Sequence, residues 1–233
     1  MLITANDNWL LSALAQAGDQ LIFKYLLPTS LAVGQVLSTP SIPFRQAYFL
    51  TSGMACMVVN VRNGGTVATH LVGHEGFVGL PLLFGSDTFL NAMAVMETAG
   101  TALRITAGSF IEEMAKPGPL QALMRRYALA QLTGSMQTAA CNRLHSIEER
   151  LACWLLMAAD RVGPHFRLTH ETIGNILGSR RATITTQAER FQQAGLATYR
   201  YGHIRIANRE RLQRVSCECY KIHRKELEIC FRS

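Results

Sequence analysis

The sequence predicts an α+β fold: an N-terminal barrel or sandwich of antiparallel strands, a long helix, and a small basic module of helices and strands. Three observations predict it. Short apolar runs alternate with turn residues from residue 21 to about residue 106, as is typical of antiparallel β-structure. A helical pattern without proline runs from about residue 120 to 142. The last third of the chain combines short helices, alternating strands and most of the basic residues.

The N-terminal region begins with the apolar spacing of a short helix over residues 8–17, which Gly18 ends. Further on, residues 55–61 and 66–72 alternate in the manner of strands and flank Arg62-Asn63-Gly64-Gly65. Because Asn-Gly adopts positive φ at little cost, these two segments are predicted to pair as a hairpin.

A helical region is expected to begin near Ala107 and to break at Pro117-Gly118-Pro119. The long helix that follows carries a narrow apolar stripe, which favours pairing with a second copy of the chain. The alternative is that this stripe packs on the chain's own barrel. The stripe consists of Leu129, Leu132, Met136 and Ala139. The next helix is predicted over residues 146–159, where Ser146 and Glu149 match a capping box.

Charge is distributed unevenly along the chain, whose formal net charge is +7. Residues 1–160 carry 9 Lys and Arg against 10 Asp and Glu, whereas residues 161–233 carry 14 against 6. A basic module on a neutral one suggests a polyanionic partner, with nucleic acid first and a membrane surface second. A merely soluble basic surface is the alternative.

No targeting segment is evident, because the first nine residues lack Lys and Arg. The longest uncharged run, residues 25–44, contains prolines and several Ser and Thr, so it is not expected to span a membrane. A cytoplasmic location with reduced cysteines is therefore expected.

Residues 168–196 match the pattern of a helix-turn-helix. Thr169 is a suitable N-cap for a first helix, Gly178 supplies a tight turn, and Ser179 is predicted to cap a second helix over residues 180–193. That second helix is expected to bury Ile184, Ala188 and Phe191 and to expose Arg180, Arg181, Thr183, Thr186, Gln187 and Arg190.

Two short alternating strands around Gly202 follow and predict a wing. A second helix that enters the major groove by its N-terminus needs donors for bases and phosphates in its first turns. The wing adds basic side chains for phosphate contacts. The predicted DNA-contacting residues are Thr169, Ser179, Arg180, Arg181, Ala182, Thr183, Thr186, Arg190, Arg200, His203 and Arg205.

The chain resembles the Crp/Fnr family of bacterial regulators over essentially its full length. The stretch LTHETIGNILGSRRATIT is similar to the family's helix-turn-helix, and GFVGLPLLFGSDTFLNAMAVMETAGTALRIT is similar to its phosphate-binding cassette region. The resemblance implies a cyclic-nucleotide-binding-type β-roll over residues 1–118, a dimerisation helix over 119–144 and a winged helix-turn-helix over 145–233.

The resemblance also implies a homodimer that binds a palindromic operator in double-stranded DNA, with RNA polymerase as a further partner. The family's guanine-reading arginine corresponds to Arg181. Its acidic reader and a second basic reader correspond to Ala182 and Thr186, so the half-site is expected to differ. Ala182 is suited to pack on a thymine methyl.

The sensor region departs from the family pattern. The glutamate and arginine that hold a cyclic nucleotide correspond to Leu80 and Leu90, and the base-contacting positions on the long helix correspond to Ser135 and Met136. A leucine cannot neutralise a buried phosphate, so binding of cyclic AMP in the family's manner is not expected. The candidate effector pocket comprises Glu75, Leu80, Leu90, Asn91, Ser135 and Met136.

The sequence gives less support to metal, redox, haem or enzymatic chemistry, and no cofactor or metal is predicted. No cysteine precedes Cys56, although the family's iron–sulfur sensors need an N-terminal group. Cys217 and Cys219, with His223 nearby, are an alternative metal or redox site, with helix packing preferred. His70 and His74 are an alternative haem pair. The sequence contains no recognisable nucleophile–base arrangement and no phosphate-cradling loop, so an enzyme is not predicted. A nucleotide-binding module unconnected with DNA is the remaining alternative.

Overall fold

The computed structural model describes residues 4–60 and 65–232. Of the predicted hairpin turn, residues 62–64 lie outside the described residues, as does Val61. The flanking strands, β3 (Gln46–Asn60) and β4 (Thr66–Val72), pair antiparallel as predicted, with Ala55 opposite Val72 and Asn60 opposite Thr66.

The N-terminal half is an antiparallel roll. Its other strands are β1 (Leu27–Leu31), β2 (Val36–Ser38), β5 (Phe77–Val78) and β6 (Ala92–Thr106). The main sheet has the strand order β1-β6-β3-β4, while β2 pairs with β6 and β5 pairs with β3. The predicted α+β class with a β-roll, a long helix and a C-terminal winged helix-turn-helix is confirmed.

The first helix, α1 (Trp9–Gln16), covers one end of the roll. Asn8 caps it, since its side-chain oxygen accepts from Leu11 N at 3.1 Å. The same buried amide donates to Leu50 O at 2.7 Å and to Gly76 O at 2.8 Å. The Asn8 side chain thus satisfies its polar atoms inside the core while it fixes the start of α1 to strand β3 and to the turn before β5.

The long helix α3 (Pro119–Leu144) follows a short α2 (Ala107–Met114), and the break predicted between them is present. The first half of α3 buries Leu123, Met124 and Tyr127 against the roll. The Phe77 N–H donates to the Tyr127 hydroxyl at 3.0 Å, which fixes the helix to β5. The second half of α3 leaves its predicted apolar stripe uncovered.

The C-terminal third begins with α4 (Ile147–Val162), which has the predicted Ser146–Glu149 capping box. A three-stranded sheet and two helices then make up the winged motif described below. The remaining elements are α5 (His170–Leu177), α6 (Arg181–Gln193), α7 (Arg209–Val215), α8 (Cys219–Phe231), β7 (His165–Arg167), β8 (Ala197–Arg200) and β9 (His203–Ile206).

The last helix, α8, returns to the N-terminal half although the sequence placed all of residues 145–233 in one DNA-binding domain. Cys230 is buried in the core of the roll. The Phe231 ring packs edge-on against Trp9, with centroids 5.6 Å apart, and Arg126 on α3 donates to Arg232 O at 2.7 Å. The chain end therefore ties α3 and α1 together.

A buried ion pair fixes α4 to the roll. Arg161 Nε and Nη2 lie 2.8 and 2.7 Å from Glu75 Oε1, and both side chains are almost fully buried. Arg161 also donates to Met157 O at 2.8 Å and to Leu71 O at 3.3 Å.

Within residues 4–60 and 65–232, no helix has the length and apolar composition needed to cross a bilayer.

Glu97 on β6 gives the protein a predicted dependence of stability on pH. Burial raises the pKa of this carboxyl to about 7, so the folded state binds a proton that the unfolded state releases between about pH 4.5 and 7. Stability from this group is present below that window and is lost as the pH rises through it. We expect Glu97→Gln to raise the free energy of unfolding at pH 8 by up to about 3 kcal/mol.

Urea unfolding at pH 8 and pH 4.5 measures this effect, and the difference between variant and parent should vanish at the lower pH. The exposed Glu112→Gln on α2 is the matched control. An equal gain at both pH values would contradict the titration and indicate a packing effect instead.

Candidate DNA-binding interface

The two helices of the motif meet at a tight glycine turn. The Thr169 side chain accepts from Thr172 N and caps α5, as the sequence predicted. Gly178 adopts φ of +59°, the left-handed conformation that favours glycine. At Gly174, a Cβ atom would lie 2.8 Å from Ser179 O, so the close approach of the two helices also requires glycine there.

The start of α6 differs from the predicted start. Arg180, not Ser179, is the N-cap, and it makes no side-chain capping bond. The Ser179 N–H donates to Gly174 O at 2.8 Å, so Ser179 completes the turn and the helix starts one residue later. Gln187 was predicted to be exposed but is buried beneath the helix, which removes it from the groove-facing surface.

The exposed surface of α6 presents a cationic N-terminus. Arg180 and Arg181 are both exposed, and Ala182, Thr186 and Arg190 continue the exposed surface along the helix. Ser179 and Thr183 are half-buried, while Thr169 is exposed at the start of α5. The Thr186 hydroxyl donates to Ala182 O at 3.2 Å, so its donor is engaged within the helix.

The wing is present where the sequence placed it. Strands β8 and β9 pair with Ala197 opposite Ile206 and Arg200 opposite His203. The predicted phosphate-contacting residues of the wing, Arg200, His203 and Arg205, are all exposed. On β9 the alternation of side chains explains this exposure, because Ile204 and Ile206 are buried in the core while His203 and Arg205 face the other side.

Sequence reasoning missed two residues of this surface. Strand β7 joins the sheet with Arg167 opposite His203, so Arg167 adds a third exposed arginine, after Arg200 and Arg205, beside His203. Tyr201 is 87% exposed at the wing tip, where its φ is +50°. The alternation of residues 165–167, which leaves only Phe166 buried, was the available signal for β7.

The predicted effector residues do not all meet. A cavity of about 700 Å³ lies between the roll and α3, and Leu80, Asn91 and Ser135 line it together with His70 and Leu132. Leu90 is 84% exposed and Met136 is also exposed, and neither lines the cavity. Glu75 is held in the ion pair with Arg161 instead. Leu90, Met136 and Glu75 therefore lie outside the cavity, because their positions depend on tertiary contacts that local sequence spacing does not encode.

The two histidines considered as a haem pair have separate surroundings. His70 lies at the cavity between the roll and α3, where burial, with Arg161 and His223 nearby, lowers its pKa to about 4. The His74 ring packs edge-on against Trp9 at 5.0 Å between centroids. No common axial position between them is evident.

The apolar stripe on α3 is uncovered in the single chain. Leu129, Leu132 and Met136 are 62%, 59% and 66% exposed, and Ala139 is exposed on the next turn. The alternative that this stripe packs on the chain's own barrel is therefore not what the structure shows. Leu129 and Leu132 also border the cavity that Leu80 lines.

Comparison with known proteins identifies the domain. Residues 149–215 match the family of Crp-like helix-turn-helix domains. No curated protein matches the sequence. Among solved structures, a Crp/Fnr regulator from Eubacterium rectale is 22% identical, with a TM-score of 0.70 over 90% of this chain and 98% of that one.

Two further structures give the same result. FixK2 from Bradyrhizobium japonicum is 15% identical, with a TM-score of 0.70 over 82% of this chain and 98% of its own. A Crp/Fnr transcriptional regulator from Thermus thermophilus is 18% identical, with a TM-score of 0.64 over the same two shares. At such identities the likeness concerns the fold.

The protein is thus of the winged helix-turn-helix class. A β-roll and a long helix precede the motif, whose second helix has an exposed cationic N-terminus. It has the DNA-binding fold of Crp/Fnr-type transcription regulators, and its residues 149–215 form a Crp-like helix-turn-helix domain.

Proposed function

We propose that this protein is a sequence-specific transcription regulator that binds a palindromic operator as a homodimer. The observation that carries the proposal is the exposed N-terminus of α6, where Arg180 and Arg181 stand beyond the glycine turn with no acidic partner among the residues described. A helix presented in this way enters the major groove by its first turns.

The two copies of α6 in a dimer would occupy successive major grooves about 34 Å apart. Arg181 would pair with guanine, Arg180 and the wing residues Arg200, His203 and Arg205 would contact phosphates, and Ala182 would lie against a thymine methyl. RNA polymerase is the further partner that such a regulator needs. These assignments rest on the exposure of each side chain and on the Crp-like domain.

Arg181→Ala is expected to weaken binding to the operator by about 5–150-fold per half-site, since a bidentate arginine–guanine pair supplies ~1–3 kcal/mol of discrimination. Specificity at that base pair should relax at the same time. Mobility shifts with operator fragments selected from random sequence, and with single-base variants of them, measure both effects.

Arg180→Ala is the matched comparison, because the loss of a phosphate contact weakens binding to all sequences and lowers the salt dependence. Arg224→Ala on α8, which is exposed away from the motif, is the neutral control. The assignment of α6 as the reading helix is wrong if Arg181→Ala preserves both the affinity and the base preference.

A second candidate function is control by an effector that is not a cyclic nucleotide. The cavity of about 700 Å³ favours it, because its lining is mainly apolar and includes Leu80, Phe84 and Phe89. Arg125 is the cationic residue among its lining groups, and it sits on α3 rather than in the roll. A buried cyclic phosphate needs a cation and a ribose hydroxyl needs an acceptor.

Calorimetric titration of the full chain with cyclic AMP is therefore expected to give no saturable heat. A micromolar dissociation constant would contradict this prediction without affecting the assignment of α6. An apolar compound that raised the melting temperature of the parent protein, but not of a Leu80→Trp variant whose larger side chain narrows the cavity, would identify the effector class.

A further inference from the structure

Three thiols and one imidazole converge where α3 ends and α8 begins. Cys141 lies in the last turn of α3, and His145, four residues further on, is the C-cap residue of that helix. Cys217 and Cys219 flank Glu218 at the start of α8. The four ligand atoms all lie within 4.8 Å of one another, and the three cysteines are buried.

The sequence had paired Cys217 and Cys219 with His223, and that grouping is wrong. His223 lies on α8 against α3, with its ring 3.3 Å from the position of a Cβ on Gly134. The structure brings His145 to the cysteine pair instead, together with Cys141 from 76 residues away.

We propose that Cys141, His145, Cys217 and Cys219 form a binding site for a single zinc ion that joins the end of α3 to the start of α8. The Cys141 and Cys217 sulfurs are 3.6 Å apart, and the Cys219 sulfur is 3.5 Å from His145 Nδ1. With Zn–S of about 2.3 Å and Zn–N of about 2.0 Å, a tetrahedral site has ligand–ligand edges of about 3.5–3.8 Å.

The same distances argue against the other uses of clustered cysteines. A disulfide needs sulfurs about 2.05 Å apart, well below the 3.6 Å between Cys141 and Cys217. In a cluster that contains several irons, the distances between the protein's ligand atoms would exceed those of a single-ion site. Three thiolates and an imidazole favour zinc over magnesium or calcium, which prefer oxygen. Four protein ligands are typical of a closed, structural site.

The groups around the four ligands match the surroundings of a metal site. Glu218 Oε1 lies 3.3 Å from His145 Nε2, so a proton on Nε2 leaves the Nδ1 lone pair free for the metal. Gln137 Nε2 donates to the Cys219 sulfur at 3.0 Å, which stabilises a thiolate there. An outer carboxylate and an amide donor to sulfur both orient ligands before the ion binds.

The position of the site defines its structural role. His145 is the C-cap of α3, and the next residue, Ser146, is the N-cap of α4. A metal on His145 would fix the junction between the two helices, and through Cys217 and Cys219 it would hold the start of α8 against it. We therefore assign the zinc to the stability of this junction, independently of what the protein binds.

The full chain, purified under reducing conditions without chelator, is expected to contain one zinc per chain by mass spectrometry of the native protein and by elemental analysis. Replacement of zinc by cobalt should give the visible bands of a tetrahedral site and a thiolate charge-transfer band. Removal of the metal should lower the melting temperature, since binding and folding are coupled.

Cys219→Ser and His145→Gln are expected to lose the metal on dialysis against a chelator that leaves the parent loaded. Cys56→Ala and Cys230→Ala are matched controls that keep it, since Cys56 lies on β3 and Cys230 is buried in the core of the roll. Glu218→Gln, at an exposed side chain, should fold normally and weaken zinc affinity about 10–100-fold.

Several outcomes would overturn the proposal. They are a metal-free parent that takes up no cobalt while all six thiols titrate, iron with acid-labile sulfide, a disulfide between Cys141 and Cys217, or full metal retention in Cys219→Ser. Because Glu218→Gln is expected to fold, unchanged zinc affinity in that variant also counts against the site, even if a ligand variant proves insoluble.

Discussion

Arg161→Met is expected to lower the free energy of unfolding by about 3–5 kcal/mol, the usual cost of leaving one partner of a buried ion pair alone. The Glu75 carboxylate would lose the charge-assisted hydrogen bond from Arg161 Nε at 2.8 Å and the ion-pair contact with Nη2 at 2.7 Å, and it would keep only the donor from Gly73 N at 3.1 Å. Leu71 O and Met157 O would lose their guanidinium donors at the same time. Urea unfolding at neutral pH measures the change.

The double variant Arg161→Met/Glu75→Leu separates a buried charge from lost packing. Replacing both partners by apolar groups removes the unpaired charge, so much of the lost stability should return. The exposed pair between Arg224 and Glu228, at 3.6 Å, is the control, and Arg224→Met should change stability by no more than about 1 kcal/mol. A double variant no more stable than Arg161→Met would contradict the ion-pair explanation.

This ion pair also explains why the position of the helix-turn-helix relative to the roll could not be read from the sequence. Glu75 and Arg161 are 86 residues apart, and each has an ordinary local explanation, one in a Gly-rich turn and the other at the end of a helix. The sequence assigned Glu75 to an effector pocket by its proximity to the family's cassette. Its true partner depends on how α4 crosses the roll, which no local pattern encodes.

The helix-turn-helix was predictable because its signals are local. A Thr N-cap, a glycine at positive φ and two alternating strands each act within a few residues. The errors were also local and small. The sequence predicts Ser179 as the cap, although its N–H bonds back to Gly174 O, and it predicts an exposed Gln187, which is buried.

The cysteine cluster shows the opposite case. Zinc sites are sought in sequences by two cysteines separated by two to four residues, and Cys217 and Cys219 have only one residue between them. Cys141 and His145 supply the missing pair by helical spacing, but they meet the other two only because α8 returns to α3. The sequence predicts α8 as part of a DNA-binding domain over residues 145–233, which leaves Cys141 outside that domain. This division therefore does not bring the four residues together.

Leu132→Asp is expected to convert the proposed homodimer into a monomer at micromolar concentration and to abolish tight binding to the proposed palindromic operator. The stripe of Leu129, Leu132 and Met136 is more than half exposed in the single chain, whereas the opposite side of α3 is already committed to the roll through Tyr127 and Leu123. In a two-fold dimer each substitution occurs twice.

Losing a buried leucine costs about 1.5–3 kcal/mol, and two copies cost about 3–6 kcal/mol before the unpaired carboxylates are counted. The dissociation constant should therefore rise by at least about 100-fold. Sedimentation or light scattering measures the mass, and a mobility shift on full and half operators measures the coupling to DNA. Leu21→Asp, at a leucine that is 56% exposed on the N-terminal segment, is the control. If Leu132→Asp remained a dimer of unchanged affinity, the two recognition helices would have to be paired through another surface, and the 34 Å spacing proposed for the operator would lose its structural basis.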